Sequence, residues 1–249
     1  MSAGCFGPKQ KIINISGSTS VQPVAEILAG EYQKQNPGCK IFVQGGGSSA
    51  GIRAVIDGIS DIGASSRELA ADEKGLHEIV IARDGIAVIV HPELKIKSLN
   101  ITQLKGIFSG SMRNWREVGG PDHEIIVVTR EAGSGTRGAF EELVMDKTPI
   151  FQEALVQAST GTVKQTVVNT GYSIGYISLS ALDEKMKGIG VNGAAPSVEN
   201  IRNGSYLLAR PFLFLTKNAP AGEVKKFIDF VLDGAGQKII AEEGLVSVR

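Results

Sequence analysis

Three times in this chain a short apolar strand runs into a turn of glycine and hydroxyl residues, and each turn opens a helix. Residues 12–15 lead into Ser16-Gly17-Ser18-Thr19-Ser20, then a helix in which Val21, Val24, Ile27, Leu28 and Tyr32 recur at helical spacing. Residues 40–44 (KIFVQ) lead into GGGSS and a helix over 50–56, with Ile52, Val55 and Ile56 inward and Gly58 past its end. Residues 125–129 lead into EAGSGT, where Gly133 and Gly135 let the backbone turn sharply and Ser134 or Thr136 can cap the helix. Alternating strand and helix predicts an α/β fold with largely parallel sheets and ligands at the carboxyl ends of the strands. One such turn is architecture. Several, each with hydroxyls at a helix start, are expected to converge on one anion, because the first helical N–H groups lack internal partners and carry the positive end of the helix dipole.

The third unit is the richest. Arg130 leaves its strand just before the turn and Arg137 follows just after it. A backbone cradle flanked by guanidinium groups suits a phosphate-like oxyanion. The same stretch matches the dinucleotide fingerprint G-x-G-x-x-G at Gly133, Gly135 and Gly138. That motif should begin its domain and be followed by an acidic residue about 20 positions on. Here it lies mid-chain, and the residues near 152–157 read as another helix. Oxyanion binding is the better reading, with a purely structural glycine turn as the plainer alternative.

With 249 residues the chain is long enough for two modest α/β domains or one large one. Lysine plus arginine and aspartate plus glutamate each number 26, so the formal net charge is zero. That balance argues against nonspecific nucleic-acid binding, and any bound anion must be held locally. No apolar run approaches the ~20 residues that span a bilayer. The start, MSAGCFG, lacks the apolar core of a signal peptide. Cys5 after Ser-Ala-Gly is similar to the end of a bacterial lipoprotein cleavage box; an incidental cysteine is the alternative. Cys39 borders a strand and reads as a small structural residue.

Elsewhere, residues 77–82 and 85–90 are β-rich runs with Arg83-Asp84-Gly85 as a turn between them. A helix over 101–108 is capped at Asn100 or Thr102, residues 150–158 read as helical, and Ser159-Thr160-Gly161-Thr162 is one more small-residue turn. Strands are expected at 174–178 and 188–191, a helix over 197–203, and a long β-type run over 206–216 interrupted by Pro211. Two helices, 221–232 and 236–243, close the chain.

The motifs GSTSVQP, GGGSSAGI, DIGASS and R-x-x-G-S-G-T-R, in this order, resemble the phosphate-binding proteins of bacterial and archaeal ABC-type phosphate importers. The resemblance runs from about residue 12 to the C-terminus. It implies a two-lobed type II periplasmic-binding-protein fold, with residues 1–86 and 211–249 in one lobe, 87–210 in the other, and crossing strands at 85–90 and 211–216. It implies binding of inorganic phosphate between the lobes, outside the cytoplasm, and delivery to a membrane permease. The protein would be a monomer with no cofactor beyond its phosphate ligand and no enzymatic activity, periplasmic or at the cell surface, with Cys5 as a lipid anchor. The residues matching the family's ligand contacts are Ser18, Thr19, Ser20, Ser48, Asp61, Arg130, Ser134, Gly135 and Thr136.

Within that set Asp61 is expected to be a buried carboxylate that accepts a hydrogen bond from a protonated phosphate oxygen. Sulfate carries no such proton, and an unpaired buried acceptor costs ~1–3 kcal/mol or more. The alternatives are a binding protein for sulfate, molybdate or tungstate, and a serine hydrolase built on Gly171-Tyr172-Ser173-Ile174-Gly175. The hydrolase needs its serine between strand and helix and a histidine beside it; Ser173 precedes a strand, and His77, His91 and His123 are isolated.

Overall fold

The computed structural model describes residues 10–249. The chain opens with β1 (Lys11–Gly17), α1 (Gln22–Gln35), β2 (Cys39–Gly45), α2 (Ser48–Ile56) and β3 (Ile62–Ser65). Then come β4 (His77–Val90), β5 (Ser98–Leu99), α3 (Ile101–Ser109), β6 (Ile126–Arg130) and α4 (Gly135–Phe140). α4 continues as a wider π turn over Glu141–Met145. β7 (Leu155–Gln157), α5 (Thr160–Asn169), β8 (Ser173–Ser178), β9 (Lys187–Val191), α6 (Val198–Arg202), β10 (Ala209–Thr216), α7 (Gly222–Leu232) and α8 (Gly234–Glu242) complete it. Several starts follow from local chemistry. Asn100 accepts from the Gln103 amide to cap α3, and Ser134 accepts from the Arg137 amide to cap α4.

The strands follow the order β2-β1-β3-β10-β4-β8-β6-β7, with β9 beside β4 and β5 beside β9. β1 is parallel to β2 and β3, and β6 is parallel to β7 and β8. β10, however, runs antiparallel to β3 and β4, and β4 runs antiparallel to β8 and β9. The expectation of largely parallel sheets therefore holds only within each half, because the two strands linking the halves run against their neighbours.

Two cores result. One gathers Val88, Phe108, Trp115, Phe140, Val167 and Tyr176, with the Phe140 and Tyr176 rings stacked at 4.1 Å between centroids. The other gathers Ile13, Ile15, Leu28, Tyr32, Phe214 and Phe227. β4 serves both: Ile79, Ile81 and Ala82 enter the second core and residues 86–90 the first.

The turn expected at residues 83–85 does not exist, because β4 passes straight through it. Asp84 looks like a turn residue in sequence, yet it is buried and opposes Arg210 on β10. Pro211 interrupts nothing either. It lies opposite Arg83, whose backbone instead exchanges hydrogen bonds with Val246 at 2.9 Å each way, so the missing proline N–H leaves no gap there. Residues 150–158 are not a helix; β7 pairs in parallel with β6, and that sheet pairing overrides the helical propensity of the segment. Cys39 is buried at the start of β2, as expected. The lipid-anchor reading of Cys5 lies outside the described residues. No described helix is long and apolar enough to cross a membrane.

Candidate anion-binding site

The glycine–hydroxyl turns meet. Ser18 and Ser20 follow β1, Ser48 opens α2, Arg130 ends β6, Ser134 caps α4, and all five are buried. The two halves touch through hydroxyls: Ser20 Oγ lies 2.9 Å from Thr136 Oγ1 and 3.0 Å from Thr160 Oγ1. The Ser49 amide donates to the Gly133 carbonyl across the same seam at 3.1 Å. The packing there is tight enough to dictate glycine. A Cβ on Gly135 would lie 2.1 Å from Ser48 Oγ and 2.7 Å from Ser66 Oγ. Because Ser134 Oγ takes the Arg137 amide, the amides of Gly135 and Thr136 remain as the unpaired first donors of α4.

Arg130 supplies the charge. Its Nη1 reaches Thr160 Oγ1 at 3.4 Å and its Nη2 reaches Thr19 Oγ1 at 3.3 Å. Its Nε donates to Glu131 Oε2 at 2.9 Å and to the Gln157 carbonyl at 3.2 Å, while Nη2 also donates to Glu131 Oε1 at 2.8 Å. Glu131 thus offsets part of the charge and orients the guanidinium plane. Arg137 does not flank the cradle as expected. Its guanidinium turns back to the Arg130 carbonyl and to Glu141, at 2.9 and 2.8 Å.

Asp61 is not in this cluster. Its side chain is exposed, and its Oδ2 accepts from the Asn14 amide at 2.8 Å. The cause is strand geometry. The hydroxyl turns lie at the carboxyl ends of β1 and β3, whereas Asp61 precedes the first residue of β3, roughly 16 Å back along an extended chain. The residue that β3 delivers to the cluster is Ser66. It is fully buried, its Oγ accepts from Ser18 Oγ at 2.8 Å, and its amide donates to Ser48 Oγ at 3.1 Å.

Sequence reasoning also missed Thr160, the first residue of α5. Its small-residue turn was visible; what brings it opposite Ser20 is the pairing of β7 with β6, which puts the turn after β7 beside the one after β6. Beneath the cluster, Arg210 donates to the Ser66 carbonyl at 3.1 Å and to Asp84 Oδ2 at 2.9 and 3.1 Å. Burial pushes the Asp84 carboxyl up and the Arg210 guanidinium down from their ordinary values, and each counters the other's shift through charge and hydrogen bonds. A cavity of about 190 Å³ borders the cluster, lined in part by Thr19, Ser20, Thr160 and Lys164.

The chain and its fold have counterparts in known proteins. Residues 7–234 match the family model of the PBP superfamily domain. A phosphate-binding protein PstS from Borreliella burgdorferi is 32% identical over 256 residues, covering 96% of this chain and 91% of that one. PstS of Bacillus subtilis is 33% identical, covering 95% and 80%. A crystal structure from Clostridium perfringens, described as a putative phosphate ABC transporter substrate-binding protein with bound phosphate, superposes with a TM-score of 0.93 at 41% identity, covering 96% of this chain and all of that one. An ABC-type phosphate transport receptor from Vibrio cholerae gives 0.80 at 39% identity, covering 94% and 99%.

The chain belongs to the PstS phosphate-binding protein family. Its fold is the two-lobed α/β fold of that family, with β4 and β10 as the crossing strands. It is a binding protein, not an enzyme, and members of the family need no cofactor. Ser173, the serine of the hydrolase alternative, is fully buried at the start of β8 and donates to the Val167 and Thr170 carbonyls at 3.1 and 2.7 Å. That hydroxyl is a structural strut.

Proposed function

We propose that this protein captures inorganic phosphate between a lobe of residues 1–86 and 211–249 and a lobe of residues 87–210, and hands it to the permease of an ABC importer. The reading rests above all on one observation. Hydroxyls and helix-start amides from both sides of the seam converge beside the buried guanidinium of Arg130. Donors contributed by both lobes favour the closed arrangement when an anion lies between them, which gives a hinge the differential affinity it needs.

In this reading Thr19, Ser20 and Ser48 donate from one lobe, and Arg130, Ser134, Gly135 and Thr136 from the other. Ser18 acts one step removed, because its hydroxyl is donated to Ser66. The protein works outside the cytoplasm, as a monomer, and Cys5 is its candidate anchor. Isothermal titration with phosphate tests the assignment. Binding should be saturable and one-to-one, and Arg130→Ala should weaken it by roughly a hundredfold, the loss of a charge-assisted contact in a desolvated site. No heat of binding, or unchanged affinity in Arg130→Ala, would place the ligand elsewhere.

A further inference from the structure

The stretch Gly171-Tyr172-Ser173-Ile174-Gly175 has no part in anion binding, yet it carries the strain of its end of the molecule. Tyr172 is held in the left-handed region, with φ at 59°. That backbone is costly for a bulky aromatic residue, whereas glycine adopts it freely. The conformation is fixed from outside the turn: the Tyr172 carbonyl accepts from the Trp115 indole at 2.8 Å and from the Ile126 amide at 3.1 Å. The ring is not hidden in return. It is 38% exposed and stacks on His123 at 3.9 Å between centroids, 17° from parallel. Strain of this kind collects at ligand clamps and active sites.

Tyr172 borders a cavity of about 510 Å³, within the size range of small-molecule sites. Leu94 and Pro121 give it an apolar wall, and His91, Glu93 and Lys95 supply its polar groups. His123 covers one side of the tyrosine ring and does not line the cavity, so the cavity meets the ring's other side. The walls are preformed around Trp115, which is fully buried. Its amide donates to the His123 carbonyl at 2.9 Å, its carbonyl accepts from the Gly120 amide at 2.8 Å, and its indole holds Tyr172. The cavity lies at the amino end of β8. Arg130 ends the parallel neighbour β6, roughly 13 Å further along, so this is a place apart from the anion cleft.

An aromatic ring with one open side takes a second flat ring by stacking. The polar groups offer both kinds of hydrogen bond. An ionised Glu93 accepts, Lys95 donates, and the His91 Nδ1 takes the Glu93 amide at 3.4 Å, which leaves the Nε2 proton of the neutral ring to donate. One acid balances one cation, so the lining suits a neutral guest with donors and acceptors on its edge. We propose that this cavity is a second binding site, for a neutral heteroaromatic ring of the nucleobase type, with Tyr172 as its stacking platform.

Tryptophan fluorescence reads the site, because the single tryptophan is bonded to Tyr172. Titrating the full chain with adenosine should give a saturable change with half-saturation below about 1 mM. Saturating phosphate should leave that value within about twofold, as expected for independent sites. Tyr172→Phe, which keeps the ring, should bind adenosine as wild type does. Tyr172→Gly should weaken adenosine binding by roughly tenfold to a hundredfold through loss of the stack, with phosphate affinity unchanged. Its melting temperature should not fall, because glycine relieves the strain. No saturable response to adenosine, by fluorescence and by calorimetry, would overturn the proposal. So would a response that phosphate abolishes, which would report movement of the lobes, or one to methyl glucoside and not to adenosine, which would make the guest a sugar. A melting temperature several degrees lower in Tyr172→Gly would make the ring a structural cover and overturn it too.

Discussion

Gly135 shows how little room the closed site leaves. A single methyl at this position would press on Ser48 Oγ and Ser66 Oγ, which belong to the opposite half of the molecule. Gly135→Ala should therefore fold normally but close poorly, weakening phosphate binding by at least about tenfold, while the melting temperature without ligand stays within a degree or two. Calorimetry and a thermal melt read the two quantities separately. The turn residues were legible because their signature is local: glycine, hydroxyl and a following apolar helix announce an anion cradle within a few positions. Asp61 was misplaced for the opposite reason. It and Ser66 belong to the same six-residue motif, DIGASS, and only the span of β3 decides which end of that motif reaches the cleft.

At the scale of elements, β4 and β10 are joined by one buried ion pair. Asp84 and Arg210 face each other directly across the ladder, and the second guanidinium branch reaches the Ser66 carbonyl. Asp84→Ala would leave Arg210 charged and unpaired in the interior, and should cost about 3–5 kcal/mol in chemical denaturation. Replacing both residues by apolar side chains of similar size should recover much of that loss, because it is the lone charge that is expensive. Nothing in the sequence connects these residues, 126 positions apart, so a charged tripeptide inside an apolar run read as a turn. β7 was hidden likewise: its strand state comes from a neighbour, not from its own residues.

A second electrostatic link ties the chain's start to α7. Glu223 Oε2 takes a bond from Lys11 and Oε1 one from Tyr32, at 2.7 and 2.8 Å. The Lys11 hydrogen bond, with Tyr32 behind it, holds the Glu223 carboxyl down at about 2, below its ordinary 4.5. A depressed carboxyl stabilises the fold above its unfolded value and stops doing so as pH falls through the folded one. Glu223→Gln should therefore lower the melting temperature at neutral pH and make it fall less steeply than wild type between pH 4.5 and 2.

Across the whole molecule, the single tryptophan reports on one core only. Trp115 is fully buried among the residues of the larger core, and its Nε1 donates to the Tyr172 carbonyl at 2.8 Å. If the halves unfold as one unit through the shared strands, tryptophan fluorescence and far-ultraviolet circular dichroism should give the same denaturant midpoint in wild type. They should separate in Asp84→Ala, where the crossing is weakened. Coincident midpoints in that variant would mean that the remaining ladder alone keeps the halves cooperative.

The place of β10 has a temporal consequence. It lies between β3 and β4, so the sheet containing the first strands made lacks a central member until almost the last of the chain has been made. Early segments of a growing chain would carry two unsatisfied strand edges and only part of a core. Until β10 is added, β3 and β4 each present an unpaired edge, whereas nearly all the residues of the larger core are already in place, so the half that β10 completes last is the one holding the first strands.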